Sequence, residues 1–423
     1  MENNKKPVRI GILTFHKSIN YGAFLQCYAL STNIKSAFPE AHVEVIDYCP
    51  EFEIKKYEVS LKSYVFGTQF IKYSFKGIIK NIAKLILMPD ILKQKKQLNN
   101  AFLKAYEHLP KSEKQWVTDD YKKFWEEAQN DYDIVIVGSD AVWEFKVFPF
   151  PSAYFIESDV DVRKMSYAAC SGRMSVHMTT HEQQKALGKI WSDFKYIGVR
   201  DNTTKKFIDD IVSGLEIHHN CDPSFILDLE SSPLFDREKV KNILIKNGID
   251  PEKPIIGIMG GNEMGKMIRK FWGDKYQVVA VFYPNRYADA YLSELTPFEW
   301  AVVFSFFKVT FTRFFHGTIF SLKNGTPTVS IDDWFSDGKE QLSKLQDVLI
   351  RTNLTNHYFR IEETKTEDGR KHIKEAAEKF INNPDTLEIS EGLKRESECF
   401  QEFKAALASQ INEVRECIFD KEG

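Results

Sequence analysis

A chain of 423 residues with 43% apolar side chains and 33 Phe has material for two packed cores of roughly 200 residues each. Its net charge of −3 and pI near 6.4 exclude a global attraction to nucleic acid, so any polyanion would have to be held locally. The six cysteines (Cys27, Cys49, Cys170, Cys221, Cys399, Cys417) show no CxxC and no paired spacing, which points to buried thiols in a reducing compartment.

The stretch Met1–Pro7 is polar and runs straight into a strand, so no signal peptide is read there. No window approaches ~18 uncharged apolar residues. A cytoplasmic protein is expected, seated at most on the surface of the inner membrane. Val8–Thr14 reads as a buried parallel strand, followed by a polar loop, His16–Gly22. An amphipathic helix is predicted from about Ala23 to Phe38, then a second strand at His42–Asp47. This β–loop–α–β opening is that of a Rossmann-like domain.

The next segment departs from the rest. Between Ile54 and Phe102 ten lysines stand against only Glu58 and Asp90, with Tyr57, Tyr64, Phe66, Phe70, Tyr73 and Phe75 among them. Gly77–Leu87 is apolar at helical spacing, so a helical insertion is expected over about 54–130. Two readings stay open. Lysine with aromatic anchors suits an anionic bilayer, at about 1 kcal/mol per cation near the surface; a solvated face of an ordinary insertion is the other.

Asp133–Gly138, Lys164–Ala169 and Tyr196–Arg200 are predicted strands, and Cys221–Ser224 closes a first domain of residues 1–228. A helix near Asp236–Asn247 restarts the pattern. Strands follow at Pro254–Gly260, Gln277–Phe282, Lys308–Thr312 and Thr326–Asp332, giving a second domain over 229–385. Two β/α halves imply a cleft lined by loops at the carboxyl ends of the strands. Within 386–423, one long helix is predicted from about Leu393 to Phe419, because Leu393, Phe400, Phe403, Leu407, Ile411, Val414 and Ile418 share a face. It either packs back across both domains or makes a homodimer.

The run Thr310–Lys323 carries the most chemistry. A β-like segment ends in Arg313 and His316, and a helical pattern opens at once with Gly317 and Thr318. A strand that stops at a helix N-terminus offers free N–H groups and the positive end of a dipole to an anion. A guanidinium and an imidazole stand there already, which suits a phosphorylated or carboxylated small molecule and proton transfer near neutral pH. No metal site is read. Asp332 and Asp333, like Asp119 and Asp120, are adjacent and point apart on a regular element, and His218–His219 has no further ligand nearby. Met259–Asn262 lacks the spacing of a dinucleotide or P-loop site.

Taken together, the motifs resemble those of the polysaccharide pyruvyltransferase family. Gly11–His16 (GILTFH) followed by Asn20–Leu30 (NYGAFLQCYAL) is similar to its opening. Val137–Trp143 (VGSDAVW), Ser166–Ala169 with Gly172, Val199–Asp201 and Asp222–Ser224 resemble its middle elements. Phe315–Ser321 (FHGTIFS) resembles its C-terminal signature, and Ser343–Lys344 a later one. The matches run in order from residue 11 to about 350. Many members carry Arg two residues before the histidine; here Phe314 holds that place and Arg313 stands three before, so that arginine's role does not transfer by position.

The resemblance implies two Rossmann-like domains in a GT-B-type arrangement. It further implies transfer of pyruvate from phosphoenolpyruvate to a sugar hydroxyl pair as a ketal, in capsule or exopolysaccharide synthesis, without a cofactor. The acceptor would be a sugar or a lipid-linked oligosaccharide. His316 is the expected acid, with backbone capping as the alternative. Asp140, beside Ser139, is a base for a sugar hydroxyl or a helix N-cap. Arg200, Arg313, Gly317, Thr318 and Lys344 are donor-binding candidates; Arg200 and Arg313 could instead form ion pairs, and Lys344 could be merely solvated. His16, Asn20, Tyr21 and Gln26 are candidates for the cleft and acceptor, though Asn20 and Gly22 could simply make the turn. A glycosyltransferase using a nucleotide sugar in the same cleft is the competing class.

Overall fold

The computed structural model describes residues 6–56, 61–66, 74–87, 89–333 and 342–422. Tyr57, Phe70, Lys72 and Tyr73 of the lysine-rich segment lie outside them, as does the stretch 1–5. In chain order the first half holds β1 (Arg9–Leu13), α1 (Tyr21–Ala37), β2 (His42–Cys49), α2 (Glu51–Lys56), α3 (Leu61–Phe66), α4 (Phe75–Leu87), α5 (Ile91–Tyr106) and β3 (Lys111–Val117). It continues with α6 (Tyr121–Ala128), β4 (Ile134–Val137), β5 (Arg163–Ala169), α7 (His181–Ser192), β6 (Tyr196–Val199), α8 (Asn202–Ile211) and β7 (Ile217–His219).

The second half holds α9 (Arg237–Lys246), β8 (Ile255–Met259), α10 (Asn262–Trp272), β9 (Gln277–Val281), β10 (Ala290–Leu292) and α11 (Pro297–Val303). Then come β11 (Phe307–Thr312), α12 (Phe315–Lys323), β12 (Thr328–Asp332), α13 (Lys344–Arg351), β13 (Tyr358–Arg360) and α14 (Glu367–Asn382). α15 (Thr386–Ser397) and α16 (Phe400–Glu422) follow.

Runs such as Ile134–Val137 and Ile255–Met259 are apolar at every position and buried at every position, as a parallel strand covered on both faces requires. All strand pairs are parallel. The first sheet has the order β3-β2-β1-β4-β5-β6-β7 and the second β10-β9-β8-β11-β12-β13. Each order reverses once, between β1 and β4 and between β8 and β11. Such switch points open a crevice at the carboxyl ends of the strands. Here the two crevices face each other: the Tyr21 hydroxyl in the first lobe donates to the Leu295 carbonyl in the second at 2.6 Å. This is a GT-B-type arrangement of two Rossmann-like domains.

Two expectations are corrected. The helical insertion ends at Tyr106, not near 130, because Lys111–Val117 returns to the sheet as edge strand β3. Only Ser112 and Trp116 of that strand are buried, so its polar sequence hides it. The terminal helix is broken into α15 and α16 at Glu398 and Cys399, where the Cys399 sulfur accepts the Cys221 N–H at 2.8 Å. α15 lies on the second lobe, with Gly392 so close to Thr352 that a Cβ would sit 2.4 Å from its carbonyl oxygen. α16 packs back on the first lobe. Phe403 meets Tyr167 and Tyr196 with ring centroids 4.7 and 5.4 Å apart, and Arg163 pairs with Glu413 at 2.7 Å. Its apolar face from Phe400 to Val414 is thus covered within the same chain.

Just before β13, His357 is buried, its Nδ1 3.0 Å from the Thr328 carbonyl and its ring stacked on Phe380. Burial pushes its pKa down from 6.5 to about 4. The unfolded chain therefore takes the proton first. The stability that goes with the neutral ring is complete above about pH 6.5 and is lost as the pH falls through about 4. Denaturant titrations across that window should show a loss of about 3 kcal/mol, and a His357→Phe variant should not show it.

Candidate active site

The site assembles where the first turns of α1 and α12 meet. β11 ends at Thr312, whose hydroxyl accepts the Phe314 N–H at 3.1 Å and turns the chain into α12. Among the described residues the N-cap position, Phe314, gives that helix no side-chain cap. The amides of its first turn are therefore available to an anion. His316 sits in this turn and is 7% exposed. Its ring lies on Gly22 across the interdomain gap, so closely that a Cβ on Gly22 would fall 2.1 Å from Cγ and Nδ1. Only glycine fits there. Gly22→Ala must displace the ring or part the lobes, and a displacement of about 1 Å at a reacting group can cost 100-fold in rate. A steady-state assay should show such a loss in kcat, with far-UV circular dichroism unchanged.

His316 Nε2 is 3.6 Å from Asp222 Oδ2, close enough for charge but too far for an ordinary hydrogen bond, and it has no other hydrogen-bond partner among the described residues. Asp222 caps the short turn of its Asp-Pro-Ser segment through the Ser224 N–H at 2.9 Å. Arg200 stands behind it, 1% exposed, giving Nη1 to Asp222 at 2.9 Å and Nη2 to Asp140 at 2.8 Å. Burial alone would raise both carboxyls. For Asp222 the charges of His316 and Arg200 outweigh it and hold the pKa well below the usual range. For Asp140 the charges of Arg200, Lys344 and His316 do the same, down to about 2. Burial works against the Arg200 charge, but Asp140, Cys170 and Asp222 outweigh it and raise its pKa.

Lys344 opens α13 with its ammonium 5.6 Å from the centre of the Phe315 ring, and the Arg200 guanidinium lies 5.1 Å from the same centre. It is exposed and forms no ion pair with a described residue. Nearby, the Glu144 carboxylate occupies the space left by Gly172, whose Cβ would lie 2.1 Å from Oε2. Burial raises its pKa, against the lowering effect of Lys344.

His316, Asp140, Arg200 and Lys344 are thus brought together. The other candidates are held elsewhere or otherwise. Asn20 is the N-cap of α1, its side chain accepting from Gly22 and Ala23. Tyr21 braces the lobes. Gln26 and Ser139 are buried, and neither the Gln26 amide nor the Ser139 hydroxyl has a hydrogen-bond partner among the described residues. His16 is fully buried between the Thr14 carbonyl (3.0 Å) and Asp47 (3.1 Å), in a structural cluster with Lys17 and Tyr106. Thr318 bonds Ser330 at 2.8 Å inside the second lobe. Gly317 makes room for Thr312 and Met259. Arg313 pairs with Asp333 and lines a separate cleft of ≈ 950 Å³ where the second lobe meets Lys80 and Ile91 of the insertion. Asp222 and Glu144 were missed as site residues; Asp222 stood in a recognised motif, while nothing local marked Glu144.

Among the described residues, no group of three or more His, Cys, Asp or Glu side chains could hold a metal ion. No described helix is long and apolar enough to cross a membrane.

A family model described as polysaccharide pyruvyl transferase matches residues 20–333. No curated protein matches the chain. Among solved structures, the UDP-GlcNAc 2-epimerase of Neisseria meningitidis bound to UDP-GlcNAc is similar at 9% identity over 96% of this chain and 100% of that one, with a TM-score of 0.50. The UDP-GlcNAc 2-epimerase of Methanocaldococcus jannaschii gives 10% identity, 89% and 93% coverage, and 0.47. The ADP-heptose lps heptosyltransferase II of E. coli gives 10%, 89% and 99%, and 0.41. At these identities the likeness is one of fold alone.

Proposed function

The chain belongs to the polysaccharide pyruvyl transferase family, and from that premise we propose that it moves pyruvate from phosphoenolpyruvate onto two hydroxyls of one sugar in a capsule or exopolysaccharide precursor, as a cyclic ketal. The observation that carries this reading is His316 Nε2, shielded between the lobes with no hydrogen-bond partner among the described residues and 3.6 Å from Asp222.

The donor holds a phosphate and a carboxylate on a vinyl carbon, C2. In this reading His316 gives a proton to the methylene carbon, C3, and positive charge develops at C2. One sugar hydroxyl adds to C2, the C2–O bond to phosphate breaks, and the second hydroxyl adds to C2 to close the ring. Of the two hydroxyl protons released, one replaces the proton given to carbon and the other leaves with phosphate. Lys344 and the open amides of α12 take the donor's anions. Asp222, held by Arg200, stabilises the imidazolium before transfer. A base needs appreciable proton affinity, which Asp140 at about 2 lacks. Glu144, raised by burial, takes that role instead. Buried free thiols at Cys27, Cys49, Cys170 and Cys221 suit work in the reducing cytoplasm.

The test is release of inorganic phosphate from phosphoenolpyruvate by the purified chain, with and without a sugar acceptor, and detection of the ketal methyl group in the product. Release that requires both substrates is the expected result. Transfer from a UDP-sugar with phosphoenolpyruvate left intact would overturn the reading.

A further inference from the structure

The insertion carries an apolar surface that the catalytic reading does not use. On α4 the side chains of Phe75, Ile79, Ile82 and Ile86 are 77, 52, 42 and 76% exposed. At ~100° per residue these four positions fall within an arc of about 60°. The helix does have an inner face, but it is a different one: Ile78 and Leu85 pack against Tyr64, Val65 and Ile91. On the other flank of the exposed stripe run Lys76 and Lys80, and α4 contains no acidic residue. Buried face, bare apolar stripe and lysine pair thus follow one another around the helix.

α4 also borders the second-lobe cleft. Lys80 and Ile91 line it together with residues of the β8, β9 and β11 loops. Its cationic lining is Lys80, Lys266, Lys270, Arg313, Lys365 and Arg370, against one acid, Glu263. Lys80, Lys266, Lys270 and Lys365 form no ion pair with a described residue.

We propose that α4 docks the protein on an anionic lipid bilayer, with Phe75, Ile79, Ile82 and Ile86 sunk to the acyl boundary and the lysine pair among the headgroups. An apolar stripe beside lysines with no acid is complementary to such a surface. A solvated insertion would not leave four large apolar side chains in line. Docking brings the cationic cleft to headgroup height, where it takes the phosphate groups of a lipid-linked sugar acceptor. This second step rests on the proposed pyruvyl transfer; the docking does not.

The test is co-sedimentation of the full chain with vesicles of phosphatidylcholine alone and with phosphatidylglycerol added. The expected result is binding that needs the anionic lipid, weakens with salt, and falls at least tenfold in Ile79→Glu/Ile86→Glu, whose exposed positions leave the melting temperature unchanged. Equal binding to both vesicles, or binding untouched by the double variant, would overturn the proposal. So would a dimer, seen by sedimentation velocity and dissolved by the same variant, without vesicle binding. In the activity arm, the double variant should keep the wild-type rate on a soluble acceptor and lose at least tenfold on a polyprenyl-diphosphate sugar embedded in vesicles. Equal rates on both acceptors would overturn the acceptor step. A chain that binds vesicles but releases no phosphate would sink the catalytic reading and leave the docking intact.

Discussion

His316→Gln should lower acceptor-dependent phosphate release by about 100- to 10,000-fold, the range that a positioned general acid contributes. Glutamine keeps much of the ring's bulk against Gly22 and can still donate a hydrogen bond, but it cannot give up a proton to carbon. Because His316 Nε2 is 3.6 Å from Asp222, beyond an ordinary hydrogen bond, the substitution breaks no such bond and leaves the Arg200 ion pair with that carboxylate in place. The folded state should therefore survive, with the thermal midpoint lower by a few degrees. Binding of phosphoenolpyruvate is the control: saturation at 100 times the dissociation constant should still add about 2.7 kcal/mol of stability. A variant retaining a tenth of the wild-type rate would show that carbon is protonated by another group.

The largest loss of stability is expected at Arg200. Its guanidinium is buried between Asp140 and Asp222, and removing one partner of such a network leaves charge stranded in a medium that solvates it poorly. Arg200→Met should cost about 3–5 kcal/mol in denaturant titrations near pH 7. The dependence on pH gives the deficit a signature. In the native chain both carboxyls titrate below their ordinary value of 3.8, so their contribution is present above about pH 4; that of Asp140 is lost as the pH falls through about 2, and that of Asp222 at still more acid pH. Without Arg200, Asp140 loses its chief opposing charge and burial pushes it upward, while His316 still faces Asp222. The deficit should shrink on acidification from pH 7 towards 5, and Asp140→Asn/Asp222→Asn in the same background should recover part of it. A deficit below 1 kcal/mol, or one flat in pH, would show that the two carboxylates find other partners.

Much of the fold is legible because parallel strands advertise themselves. Ile134–Val137 and Ile255–Met259 have no polar position, since both of their faces are covered. Edge strands do not. Lys111–Val117 buries two side chains, and Ile217–His219 and Tyr358–Arg360 are three residues long, too short for any period to show. The break at Cys399 escapes notice because the apolar spacing of α15 runs on into α16 with little change of phase.

At the site, the motif at Phe315–Ser321 gives the location of the imidazole but not the direction of its neighbours. Thr318, two residues on, turns into the second sheet, and Tyr21 turns onto Leu295. Helical position alone does not say which of these faces the gap. Asp222 meets His316 only because β6 and β7 bring its turn beneath α12, a relation between distant segments. Glu144 gains its proton affinity from packing around Gly172, which no linear pattern records.

The clasp made by Tyr21 and Gly22 has a kinetic consequence. With the His316 ring pressed on Gly22 and only 1% of Arg200 in water, the closed lobes shield both groups from solvent. Any widening of the angle between the lobes would sacrifice the Tyr21–Leu295 bond and the edge contacts of Tyr21 with Phe282 and Trp300. In the proposed reaction, reclosure of the lobes would then shut water out around C2 and guard that centre from hydrolysis.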